Sequence, residues 1–143
     1  IQVTKECFFE GIKYAKAGNH LFDISGAIGR YAEERGYGVV RDLCGHGIGT
    51  ALHEAPEIPN YEVGRKGVKL RPGMTLAIEP MINIGTYEVD WLDDDWTVVT
   101  RDGSLSAHYE NTILITEGEP RILSLTCDNE YTDIIRGNRY GDV

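Results

Sequence analysis

The stretch CGHGIGTALHEAPEIPNY, residues 44–61, carries two histidines, His46 and His53, in a run punctuated by glycine and proline. Gly45, Gly47 and Gly49 each weaken a helix by about 1 kcal/mol relative to alanine. Pro56 and Pro59 remove backbone donors further on. The stretch is therefore extended or looped. With no side chains at 45, 47 and 49, His46 stands on an open surface that a ligand, a metal ion or another strand can approach closely.

The flanking sequence assigns this stretch to a mixed fold. Upstream, Val3, Cys7, Phe8, Ile12 and Ala15 recur at helical spacing until KAGN ends the run. Leu21, Ile24, Ile28, Tyr31 and Ala32 mark a second amphipathic helix, opened by Asn19 or Asp23 and capped by Gly36. From Tyr37 the period changes. YGVV (37–40), GMTLAIEPMINI (73–84), WTVVT (96–100), AHYENTILIT (107–116) and RILSL (121–125) read as strands rich in β-branched residues. RDGS (101–104) reads as a hairpin-like turn between strands at 97–100 and 107–116. Two helices followed by a mostly antiparallel sheet define an α+β domain. Residues 127–143 carry few apolar side chains and read as a surface extension.

Composition excludes several classes of function. A chain of 143 residues, 41% hydrophobic, is long enough for one domain that buries roughly two-thirds of its unfolded surface. The formal charge of −9 opposes binding to nucleic acid or to anionic membranes, both of which need clustered Lys and Arg. No apolar run approaches the ~18 residues of a membrane span. Charges are mixed into the apolar positions of residues 1–15, unlike a signal peptide. The cytoplasm is the expected compartment. Cys7, Cys44 and Cys127, odd in number and far apart, fit reduced thiols.

Most catalytic motifs fail on inspection. GHGIGT lacks the Gly-Lys-Ser/Thr of a phosphate loop and the spacing of a dinucleotide site. HEAPE (53–57) begins like a zinc-protease helix, but residue 57 is Glu and Pro56 breaks the helix. No serine lies in GxSxG. Cys44 and His46 would share one strand face, although a cysteine beside a glycine is more commonly small core filling. What remains is a pair of carboxylates. Glu79 ends the apolar run TLAI, and Glu110 interrupts another, where alternation puts it on one face with Thr112 and Leu114. A carboxylate inside an apolar strand is costly unless it is paired or metal-bound. One histidine and two glutamates from separate strands suit a divalent ion such as Mn, Fe or Co. The competing explanation is that each Glu pairs with an Arg or lies at a solvated strand end.

Three blocks, GHGIGTALHEAPEIPNY, LRPGMTLAIEPMIN and DDWTVVTRDGSLSAHYENTILIT, resemble in sequence and order the type I methionine aminopeptidases over about residues 1–125. These are dimetal enzymes of the pita-bread fold that remove the initiator methionine. Prolidases and proline-directed aminopeptidases share the fold and the His/Glu/Glu signature. Their second block, however, usually runs on as EPG rather than EPMIN. The resemblance implies that residues 1–126 are the C-terminal half of a pita-bread catalytic domain. It implies two divalent ions (Co, Mn, Fe or Zn), with His46 and Glu79 as ligands and Glu110 as the bridging carboxylate. Glu79 would also accept and pass on a proton, His53 would stabilise the oxyanion, and Trp96 would line the pocket for the methionine side chain.

The implied substrate is a peptide or nascent chain with Met first, and the ribosome is an implied partner. Leu52 stands where the family often has an aromatic residue or methionine. His108 stands where glutamine is more frequent, which would alter hydrogen bonding near Glu110. His20 is expected to be merely exposed, and Asp93 to Asp95 to form a solvated turn. The family also draws two aspartates, eleven residues apart, from its N-terminal half, and no Asp in this chain has such a partner. That half is expected in the same protein or in a second chain, leaving one sheet edge open here. The alternatives are a noncatalytic pita-bread-like module binding a peptide or the ribosome, and a proline-directed aminopeptidase.

Overall fold

A computed structural model describes residues 1–125 of the chain. The extension expected from residue 127 onward lies outside them. Helices α1 (Gln2–Ile12) and α2 (Leu21–Glu33) form where the spacing predicts them. Cys7, Phe8 and Ile12 of the first are buried with Leu21, Ile24, Ile28 and Ala32 of the second. Gly11 allows close approach, since a Cβ there would stand 2.5 Å from Cγ1 of Ile28. Burial pushes the Cys7 thiol up to about 12, which keeps it protonated.

Neither Asn19 nor Asp23 is the cap of α2; His20 is. Its side chain accepts from the Asp23 backbone, and the Asp23 carboxylate accepts the His20 N–H at 2.8 Å, the reciprocal arrangement of a capping box. His20 is therefore a structural residue rather than a merely exposed one. Gly36, at φ 80°, follows α2 as expected, and the Tyr37 N–H donates to the Ala32 carbonyl at 3.2 Å.

Ten short strands complete the described residues: β1 (Gly38–Val39), β2 (Gly45–Gly47), β3 (Glu54–Ile58), β4 (Thr75–Ile78), β5 (Met81–Asn83), β6 (Val89–Trp91), β7 (Val98–Thr100), β8 (Ser106–His108), β9 (Asn111–Leu114) and β10 (Arg121–Ile122). All pairings are antiparallel. A five-stranded sheet runs β10-β9-β4-β2-β3, a three-stranded sheet runs β1-β5-β8, and β6 pairs with β7 alone. One hydrophobic cluster joins Phe8, Ile24 and Ile28 of the helices to Ile58, Leu76, Ile78 and Ile113 of the large sheet.

Three expectations need correction. The runs 73–84 and 107–116 are not continuous strands: the first divides into β4 and β5 around Glu79-Pro80, the second into β8 and β9 around Tyr109-Glu110. Pro80 has no N–H to give a ladder, and its carbonyl accepts the Tyr109 N–H at 3.1 Å. The RDGS turn exists, with Gly103 at φ 72° donating to Thr100 at 3.1 Å, but it joins no hairpin. Its flanking strands part into different sheets, β7 to β6 and β8 to β5. β6 was not anticipated, because three residues of VDW are too short to display a period.

β8 and β1 are the edges of the three-stranded sheet. Beside β8, Ile84 and Leu105 stand 58% and 75% exposed and wall an apolar groove of about 560 Å³ together with Ile1 and Val3.

Asp102 braces the loops at that end. One carboxylate oxygen accepts the Thr86 N–H at 2.8 Å and the other the Ser104 N–H at 2.9 Å. The bond from Thr86, followed by those from Ser104, lowers the carboxyl to about 2 from an ordinary 3.8. A depressed folded-state value contributes stability that is complete above the ordinary value and fades as pH falls toward 2. Thermal denaturation between pH 4 and pH 2 should therefore show a steeper loss of stability for the wild type than for Asp102→Asn; parallel profiles would contradict the assignment.

Candidate metal centre

The site is built on β2, and the alternating glycines are the reason it can be. β2 lies between β3 and β4, with His46 opposite Glu57 on one side and Ala77 on the other. A Cβ at Gly45 would collide with the Ala77 carbonyl oxygen, and one at Gly47 with that of Ala55. The register with β3 shifts between His46 and Gly47, leaving Ala55 and Pro56 unopposed in a bulge. His53 lies just ahead of β3, and its ring meets the ring of His46 at 4.3 Å between centroids, tilted by 62°.

Strand register then aligns the acids with His46. His46, Ala77 and Thr112 form one row across β2, β4 and β9. Glu79 is two residues beyond Ala77, and Glu110 two before Thr112, so the period of two brings all three functional side chains to one face. The face shared by Glu110 and Thr112 is the one expected from alternation. Ile78 opposes Asn111 and Met81 opposes His108, so the register is the same on both sides of the break. Glu79 and Glu110 therefore face each other across it. One donor atom from each of His46, Glu79 and Glu110 lies within 4.8 Å of the others. The His46 and Glu79 side chains are only 12% and 14% exposed, whereas Glu110 is open to solvent.

The donor set fits a divalent cation. Nδ1 of His46 is 2.9 Å from the Gly47 carbonyl, an acceptor, so Nδ1 donates there and Nε2 is the ring nitrogen turned to the acids. Nε2 lies 3.4 Å from Oε1 of Glu79. With the ring neutral, Nε2 and the two carboxylates offer a divalent cation three donors. One imidazole nitrogen and two carboxylates suit borderline to hard divalent ions.

The other candidate residues lie outside the donor cluster. His108 reaches Glu79 rather than Glu110: its Nε2 is 3.3 Å from Oε2 of Glu79, and this bond raises the His108 pKa against a smaller opposing effect of burial. Asn60, fully buried, was not singled out in the sequence; its Nδ2 donates to the Glu79 carbonyl at 3.1 Å and fixes the main chain there. Its only signal was a polar residue after Pro59, which reads equally well as a loop. Cys44 is a free thiol whose pKa is raised chiefly by burial, so it is no activated nucleophile. Trp96 is 84% exposed at the β6–β7 connection, and Leu52 is exposed in the loop before His53. Asp94 accepts from the backbones of Trp96 and Thr97 in the solvated turn expected for Asp93 to Asp95.

Fold and cluster together describe a metallopeptidase, and comparison with known proteins agrees. Residues 1–117 match metallopeptidase family M24, and the chain belongs to that family. It is 58% identical over 125 residues to a methionine aminopeptidase of Clostridium acetobutylicum, covering 87% of this chain and 50% of that protein. The crystal structure of methionine aminopeptidase from Thermotoga maritima superposes with a TM-score of 0.85 at 49% identity, covering 88% of this chain and 51% of that one. A prolidase from Pyrococcus furiosus superposes less closely, with a TM-score of 0.63 at 26% identity, over 87% of this chain and 31% of that one. The α+β pita-bread architecture is thus shown. The chain spans about half the length of the methionine aminopeptidases it matches. No helix among the described residues is long and apolar enough to cross a membrane.

The close approach at Gly45 makes a specific demand. Gly45→Ala should destabilise the protein by about 1–3 kcal/mol and weaken Mn²⁺ binding, because the new methyl meets main chain that cannot yield. Gly49→Ala, whose nearest neighbour is the flexible Glu54 side chain at 3.1 Å, should cost less. Urea denaturation of the two variants side by side checks this, and equal losses would contradict it.

Proposed function

We propose that this chain forms the metal-binding half of a methionine aminopeptidase that removes N-terminal methionine from peptides and nascent chains. The observation that carries the reading is the convergence of His46, Glu79 and Glu110 in a chain 58% identical to a methionine aminopeptidase. On this reading His46, Glu79 and Glu110 would hold divalent ions of the Co, Mn, Fe or Zn type, Glu110 being shared between them. Such ions, when bound, supply Lewis acidity and lower the pKa of water toward neutrality.

The chain's own residues would do the rest. Glu79 takes the proton of the attacking water and passes it to the departing amine. His53, whose ring abuts that of His46, donates to the oxygen of the scissile carbonyl as negative charge develops there. Trp96 packs on the methionine side chain; an indole this exposed gains burial only when an apolar group such as a thioether lies against it. Further ligands come from additional polypeptide, in the same protein or a second chain, as the twofold length of the relatives suggests. The enzyme would act in the cytoplasm on chains emerging from the ribosome, and the free thiols of Cys7 and Cys44 suit that compartment.

In the complete enzyme, His46→Ala should reduce metal-dependent release of methionine from Met-Gly peptides to background. His53→Ala should lower kcat by about 100- to 1,000-fold. Undiminished release by His46→Ala would refute the assignment. Preference for Xaa-Pro over Met-Gly peptides would make the protein a proline-directed aminopeptidase, and absence of both activities and of bound metal would make it a binding module.

A further inference from the structure

Glu79 has two carboxylate oxygens, and the fold treats them differently. Oε1 lies 3.4 Å from Nε2 of His46. Oε2 lies 3.3 Å from Nε2 of His108, whose side chain is 47% exposed. Asn60 secures only the Glu79 main chain, through its bond to the carbonyl. The terminal torsion of a glutamate is broad, so an anchored backbone does not by itself aim the carboxylate.

His108 is well held for this purpose. It sits on β8 directly opposite Met81, two residues past Glu79, and the next residue, Tyr109, bonds through its N–H to the Pro80 carbonyl at 3.1 Å. The main chain carrying the imidazole is thereby clamped to the main chain carrying the carboxylate. A ring N–H donated to Oε2 fixes the plane of the carboxylate and leaves Oε1 turned toward His46. We propose that His108 is a positioning residue for the metal centre, acting through Oε2 of Glu79 to hold Oε1 in its coordinating direction. This rests on the metallopeptidase reading and adds a fourth side chain to the three donors, outside the coordination shell itself.

The test is metal binding rather than turnover. Mn²⁺ affinity is measured by calorimetry on the complete enzyme and on two variants of it, with the visible absorption of bound Co²⁺ reporting ligand geometry. His108→Ala should bind Mn²⁺ about 10- to 100-fold more weakly and alter the Co²⁺ spectrum, as loss of an outer partner does. His108→Gln, which keeps an N–H donor of similar reach, should restore most of the affinity and the spectrum. Far-UV circular dichroism checks that both variants fold. Wild-type affinity and spectrum in His108→Ala would overturn the proposal. Equal weakening in both variants would overturn it too, because the effect would not follow the donor. A complete wild-type enzyme that binds neither ion would overturn the metal-centre reading itself, and this role with it.

Discussion

Two glutamates face each other across a gap in an antiparallel ladder, with a histidine beside them, and the rest of the structure accommodates that arrangement. Like charges directly opposite on paired strands are destabilising. A cation placed among the three groups would add an attraction to each carboxylate that outweighs their mutual repulsion. The arrangement is thus better suited to a binding site than to plain structure, a combination typical of functional positions.

Holding that arrangement in place requires a rigid frame on all sides. Behind the acids, Leu76, Ile78 and Ile113 anchor β4 and β9 to the helices through one continuous core. Pro80 ends one ladder without leaving an unsatisfied donor, and the Tyr109 N–H immediately reuses its carbonyl to start the next. On the third side β2 must lie close against both neighbours, so positions 45 and 47 have no room for a side chain. The bulge opposite His46 turns the β3 strand so that His53 arrives beside the same histidine. Break, glycines and bulge are local departures from regular sheet, and all three occur within reach of the cluster.

These departures also mark the limit of what could be read from sequence. The helices were legible because a period of 3.6 over ten or more residues is a strong signal, and the cluster was legible because an acid in an apolar run is conspicuous. The division of residues 73–84 and 107–116 was not, since β-branched residues continue on both sides and hydrophobicity carries no mark of a change of sheet. The RDGS turn misled for a related reason: turn chemistry specifies the bend and leaves open which strands its arms will join. His20 looked like a surface residue because a histidine cap is not among the usual Ser, Thr, Asp and Asn signals. His108 and Asn60 could be placed only by register, which comes from pairing and not from composition.

Counting donors explains how half of a larger architecture can hold a recognisable centre. An octahedral divalent ion takes six donors, and this chain offers three side chains on one face. On the proposed reading, one ion would have His46, Glu79 and a shared Glu110, with water or substrate completing its shell. The second ion would have Glu110 alone, and a single solvent-exposed carboxylate does not hold a divalent ion against its hydration. A dinuclear centre therefore needs donors from polypeptide other than residues 1–125. On that reading the His/Glu/Glu face would hold the first ion, and the second would depend on what completes the sheet.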